Sequence, residues 1–230
     1  MLFSIIQDLL NGQRIDMIRV IAEILSVLFI IFCILPVHEW AHAWAAYKLG
    51  DTTAKSSGRL TLNPLASFDP IGAMFLLLFG FGWAKPVPID MRAFRNPKRD
   101  TALTALAGPL SNFIVAFLGG VVYWGIFLGA SGAVPDFVNA FFLSYIQINV
   151  ALAVFNLIPL PPLDGSKILG AFLSSRALYN YYKYQNIIVL IAFVVMFSNV
   201  LSAPLTWLNY ACYRGVLWLA WLPFRLFGLL

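Results

Sequence analysis

MIRVIAEILSVLFIIFCILPVHEWAHAWAAYKLG, residues 17–50, is almost wholly apolar from about Met17 to about Tyr47. A hydrocarbon core about 30 Å thick needs about 20 such residues per spanning helix, so the stretch reads as a membrane helix, with Gly50 as its stop. A His-Glu-x-x-His set rides on it. Residues four apart lie about 40° apart around a helix axis, so His38 and His42 face one way and can share one metal ion. Glu39 projects about 100° from His38, where it can act on water at the metal instead of binding the metal. The chain has only two histidines and two glutamates, which makes a chance match a poor explanation. Ionisable groups at membrane depth also cost at least about 2.5 kcal/mol each when charged, so they are seldom kept without a use.

The rest of the chain fits the same solvent. With 61% hydrophobic and 11% charged residues, 230 residues cannot hide their apolar side chains in one water-soluble core. Four spans are expected, at about Met17–Tyr47, Thr101–Leu128, Ala140–Leu157 and Asn186–Leu201. Two segments stay open. Ile71–Trp83 is too short to cross comfortably and reads as re-entrant or interfacial, and the C-terminal 204–230 holds Arg214 mid-segment, so it either spans or lies at the interface. Residues 51–64 read as a polar turn or short strands, and 167–185 as a polar stretch. MLFSIIQDLLNGQR at the start lacks a basic opening and a cleavage site, and reads as an interfacial or loosely inserted segment rather than as a signal peptide.

The net charge of +5 does not point to nucleic acid, because the basic residues lie in short loops rather than in one stripe. The loops at 48–59, 85–99 and 167–183 are basic, whereas those at 129–139 and 199–209 carry no Lys or Arg, so the basic loops are expected on the cytoplasmic side. That holds only if Ile71–Trp83 does not cross. Cys33 and Cys212 sit in apolar stretches and indicate neither a disulfide framework nor a metal site.

A catalytic zinc usually takes three protein ligands and leaves one position open, and with no third histidine in the chain a carboxylate is the best candidate to complete the set. Asp164, in NLIPLPPLDG at the end of a broken membrane helix, competes with Asp69 in NPLASFDPIG. Asp164 can also be read as a plain turn residue. Asn156 can donate to a developing oxyanion or satisfy backbone carbonyls freed by the break. In ALAGPLSN the small residues permit close helix contact, and packing is the role expected of Asn112. Glu23, four residues beyond Arg19, reads as a snorkelling ion pair.

HEWAH, GRLTLNP, FGWAKPVP, ALAGPLSN and FNLIPLPPLDG occur in an order that resembles the site-2 proteases, a family of intramembrane zinc metalloproteases. The resemblance covers about residues 36–168. It implies an all-α polytopic membrane protein with a three-helix catalytic core, one zinc held by His38, His42 and Asp164, and Glu39 as general base. Asn156 matches the family's asparagine ahead of the LDG motif, and is carried as a second catalytic candidate. The length matches the compact branch without a PDZ or CBS domain, so 1–230 reads as one membrane-embedded peptidase domain, with further peripheral membrane helices in 169–230. Many relatives place a histidine where Ser67 stands, which puts any auxiliary role of that loop in doubt.

The implied partners are a transmembrane substrate protein and the lipid bilayer, without nucleic acid. A prokaryotic plasma membrane with the active site toward the cytoplasm is the expected setting. A metal or ion transporter with an intramembrane His and Asp site, or an inactive scaffold that binds membrane helices, are the rival readings. Neither is favoured: no inverted repeat is visible, and a scaffold has no reason to keep Glu39 beside intact ligands.

Overall fold

The computed structural model describes residues 10–12, 16–79, 82–197 and 202–228. Among these the protein is all-helical, with no strand. Most of residues 1–15, and the end of the expected fourth span at 198–201, lie outside the described residues.

Helix α1 (Met17–Phe29) starts where the Asp16 carboxylate accepts the amides of Ile18 and Arg19. It runs through one π-helical turn, Ile30–Ile34, into α2 (Leu35–Lys48), making a continuous 32-residue span. Pro36 has no N–H to give to the turn before it, and the ladder there shifts register, with Leu35 N–H donating to Ile30 O. The irregularity falls just ahead of His38. Near the start of the span Arg19 and Glu23 pair at 2.9 Å, one helical turn apart.

Residues 51–64 form no strands. Two one-turn helices, α3 (Thr53–Ser56) and α4 (Pro64–Ser67), stand where the polar run allowed a short ladder. Side chains satisfy the backbone locally: Asp51 Oδ1 accepts Thr53 N–H at 2.8 Å, and Asn63 Oδ1 accepts Leu65 N–H at 3.0 Å ahead of Pro64. Helix α5 (Pro70–Phe79) has ten residues, too few to cross a bilayer.

Helix α6 (Pro97–Gly129) begins four residues before the expected Thr101, because Asn96 caps it and Pro97 suits the first turn. Helix α7 (Asp136–Asn156) follows, and the chain turns through 157–163 into α8 (Asp164–Phe172). The expected polar stretch before Gln185 is therefore largely helical, as α8 and α9 (Ser175–Lys183). The fourth expected span overlaps α10 (Gln185–Phe197), whose 13 described residues are too few to cross, and the C-terminal segment forms α11 (Ser202–Leu226). Among the described residues three helices are long and apolar enough to cross a membrane: Met17–Lys48, Pro97–Gly129 and Asp136–Asn156.

Helix α6 is the hub, packed against α2, α7, α8 and α11. Its polar residues Thr104 and Asn112 are fully buried, and Asn149 of α7 is buried against Asn112, while Leu103, Leu110, Ile114, Leu118 and Val122 are exposed. This inside-out distribution suits a lipid solvent, where polar groups must pair within the protein and apolar side chains face outward at little cost.

Candidate metal centre

Two sequence-distant pieces meet on the histidine face of α2. His38 and His42 are one turn apart with ring centroids 4.7 Å from each other, and Asp164 arrives as the first residue of α8. All three are buried. Asp164 Oδ2 lies 3.4 Å from His38 Nε2 and 3.1 Å from His42 Nε2, and the two Nε2 atoms are 3.1 Å apart. Gly165 permits this approach, because a Cβ there would overlap the carbonyls of Leu157 and Ile158 in the preceding turn.

The outer hydrogen bonds fix which ring nitrogens carry protons. His42 Nδ1 lies 2.8 Å from the Thr104 carbonyl, which can only accept, so Nδ1 is the donor and Nε2 keeps its lone pair. His38 Nδ1 bonds to Asn112 Oδ1. The Asn112 amide nitrogen is engaged by Asn149 Oδ1 at 3.3 Å, and Asn149 in turn donates to Tyr145 O at 2.9 Å. Asn112 therefore presents its oxygen to His38, and His38 Nε2 is also left free. With both imidazoles neutral, three lone-pair atoms converge in a buried space, an arrangement that favours a cation between them. A tetrahedral ion with bonds of about 2.0–2.1 Å sets its ligand atoms about 3.3–3.4 Å apart. The observed 3.1–3.4 Å fits that set.

Gly108 of α6 forms the floor. A Cβ at this position would overlap His42 Nε2 and lie 2.6 Å from His38 Nε2. Only hydrogen leaves room there for both rings and an ion.

Glu39 is also buried, and its Oε2 accepts the Val87 amide at 3.1 Å. The extended stretch 84–90 that supplies this amide is tied down on several sides. Lys85 N–H donates to Ser67 O at 2.9 Å, Arg59 donates to Lys85 O at 2.6 Å, and Asp51 Oδ2 accepts Asp90 N–H at 2.9 Å. Ser67 thus offers its carbonyl to this stretch.

Asp69 lies elsewhere, with Oδ1 accepting the amides of Ile71 and Gly72 at 2.9 Å each, as the cap of α5. The Asn156 amide donates to Leu152 O at 3.0 Å within α7. Lys167, one turn along α8, reaches Asp164 Oδ1 at 3.3 Å. The packing role expected of Asn112 is superseded by its bond to His38. Thr104, Gly108 and Asn112, at spacings of four along α6, lie on one face, and that polar and small-residue face was the available signal.

The model of peptidase family M50 matches residues 118–198, which include Asn156 and Asp164. A Bacillus subtilis (strain 168) protein named "Putative zinc metalloprotease YwhC" is 47% identical over 137 residues, covering 57% of this chain and 62% of that one. "Putative zinc metalloprotease Rip2" of Mycolicibacterium smegmatis is 31% identical over 137 residues, covering 56% and 49%. "Putative zinc metalloprotease MJ0611" of Methanocaldococcus jannaschii is 30% identical over 142 residues, covering 57% and 62%. The matches thus span 49–62% of these relatives' lengths, less than two thirds of each. No solved structure gives a significant match. The family match over residues 118–198 and the relatives' names agree with the buried His-His-Asp group, and together they mark a likeness to the zinc metalloproteases of peptidase family M50.

Proposed function

We propose that the protein is an intramembrane zinc metalloprotease that hydrolyses a peptide bond within a membrane-spanning helix of another protein. The observation that carries this reading is the convergence of three buried ligand atoms, from His38, His42 and Asp164, beside the acid of the same His-Glu-x-x-His turn.

These three side chains would hold the metal in this reading. Zinc held there would supply Lewis acidity toward a substrate carbonyl and toward water. The chain's own residues do the rest. Asn112 and Thr104 hold the rings with Nε2 inward. Val87 N–H fixes one Glu39 oxygen, which leaves Oε1 to take a proton from the attacking water and return it to the leaving amide nitrogen. Asn156 is kept as a candidate donor to the substrate carbonyl, for which its amide must leave the Leu152 carbonyl.

A peptide bond in a regular helix is shielded by side chains, and its carbonyl is tied to the amide four residues on, so the substrate helix must unwind locally before attack. The three candidate spans support an integral membrane protein. The basic loops support placing the site toward the cytoplasm, and the bacterial and archaeal relatives support a prokaryotic plasma membrane. The test is cleavage of a transmembrane substrate by protein purified in lipid nanodiscs. Activity should disappear on chelation and return with one equivalent of zinc, and activity indifferent to chelation would refute the proposal.

A further inference from the structure

A cavity of about 470 Å³ opens where the first turn of α6 meets α8 and α9. Met91, Leu178, Tyr179 and Tyr182 give it mainly apolar walls. Lys98, Lys167 and Lys183 also line it, and no carboxylate is among its described lining residues. Thr101 contributes a buried side chain, 8% exposed, whose Oγ1 has no hydrogen-bond partner. A helical threonine ordinarily returns its hydroxyl to the carbonyl four residues back, and Thr101 does not.

We propose that this cavity binds an anionic glycerophospholipid, with its phosphate among the lysines and the Thr101 hydroxyl and the start of its acyl chains along the aromatic wall. Lys98 and Lys183, which have no carboxylate partner among the described residues, and the unpaired Thr101 hydroxyl ask for an anion with several acceptor oxygens, and Lys167 adds to the positive field although it is paired with Asp164. The apolar walls ask for hydrocarbon attached to it. A peptide brings a row of backbone N–H and C=O groups that such walls would leave unpaired, and a free phosphate would leave the walls uncovered. Two of the basic loops expected on the cytoplasmic side supply the lysines, and a basic pocket between membrane helices at that face suits an anionic headgroup. Lys167 joins the cavity to the metal centre through Asp164. The proposal rests on the membrane reading but not on proteolysis, and a binding readout keeps the failure of one distinct from the failure of the other.

The experiment is native mass spectrometry of the full chain released from neutral-detergent micelles, titrated with phosphatidylglycerol or phosphatidylcholine. One phosphatidylglycerol per chain should bind saturably, and phosphatidylcholine should be shed. Removing charge with K98Q and K183Q together should weaken binding about 25-fold, at about fivefold per lysine near a lipid headgroup. Lys98 also donates to Leu173 O, so Thr101→Val, which changes no charge and little shape, serves as the second variant and should weaken binding several-fold. Equal retention of both lipids would overturn the proposal, as would unchanged affinity in T101V. Displacement of the lipid by millimolar inorganic phosphate, or by an acidic peptide, would reassign the cavity to that ligand.

Discussion

Gly108→Ala is the smallest change that should empty the metal centre. The added methyl would overlap His42 Nε2 and sit 2.6 Å from His38 Nε2, inside the volume an ion needs at about 2.0–2.1 Å from both. Relief requires α6 to move away from α2 by about 1 Å, to restore ordinary carbon–nitrogen contact of about 3.5 Å. That shift stretches the bonds from Thr104 O to His42 and from Asn112 to His38, which come from the same helix. Loss of such outer partners costs about 10–100-fold in metal affinity each, so even the relaxed variant should bind zinc at least about 100-fold more weakly, about 2.7 kcal/mol. Alanine is the better helix former by about 1 kcal/mol, so the metal-free fold should not be weakened on that account. Zinc affinity by chelator competition, with helix content by circular dichroism, separates the two effects. A G108A protein that binds one zinc with wild-type affinity would refute the geometry of the floor.

Other expectations follow from single contacts. Asn112→Leu should lower zinc affinity about 10–100-fold while Asn112→Asp, which keeps an acceptor toward His38, should lose less; equal losses in chelator titrations would mean the residue only fills space. Asp164→Asn should lose zinc affinity and turnover together, whereas Asp69→Asn should keep zinc and lose only the α5 cap, about 1 kcal/mol of stability; metal content and thermal melts of the pair decide this. Cysteines introduced near Ala54, Ala93 and Ser175 should be labelled from the cytoplasmic side and one near Ala133 from the other; opposite labelling at Ala93 would mean that the 71–83 segment crosses.

How much of this was legible followed from the range of the interactions. The His-Glu-x-x-His face depends on the 3.6-residue period of one helix, so His38, Glu39 and His42 could be grouped from spacing alone. Asp164 could be set against Asp69 but not separated from it by local chemistry, since both lie beside prolines and glycines; the difference is tertiary, one beside the imidazoles and the other capping α5. Asn112 was assigned to packing because its partner is 74 residues away, and nothing in ALAGPLSN names a histidine. The strands allowed at 51–64 gave way to caps, since Asp51 and Asn63 satisfy amides that a ladder would otherwise need. The early start of α6 came from Pro97, which looked like loop chemistry but equally suits the first turn of a helix.

The general-base role of Glu39 beside an intact ligand set is best tested on the Glu39→Gln protein, with zinc content and cleavage of a transmembrane substrate measured on the same preparation. Glutamine keeps the size and the oxygen that faces Val87 N–H but can neither take nor return a proton. Zinc near one equivalent, with cleavage lower by at least about 100-fold, is the predicted result. Wild-type cleavage by that variant, or loss of its zinc, would contradict it.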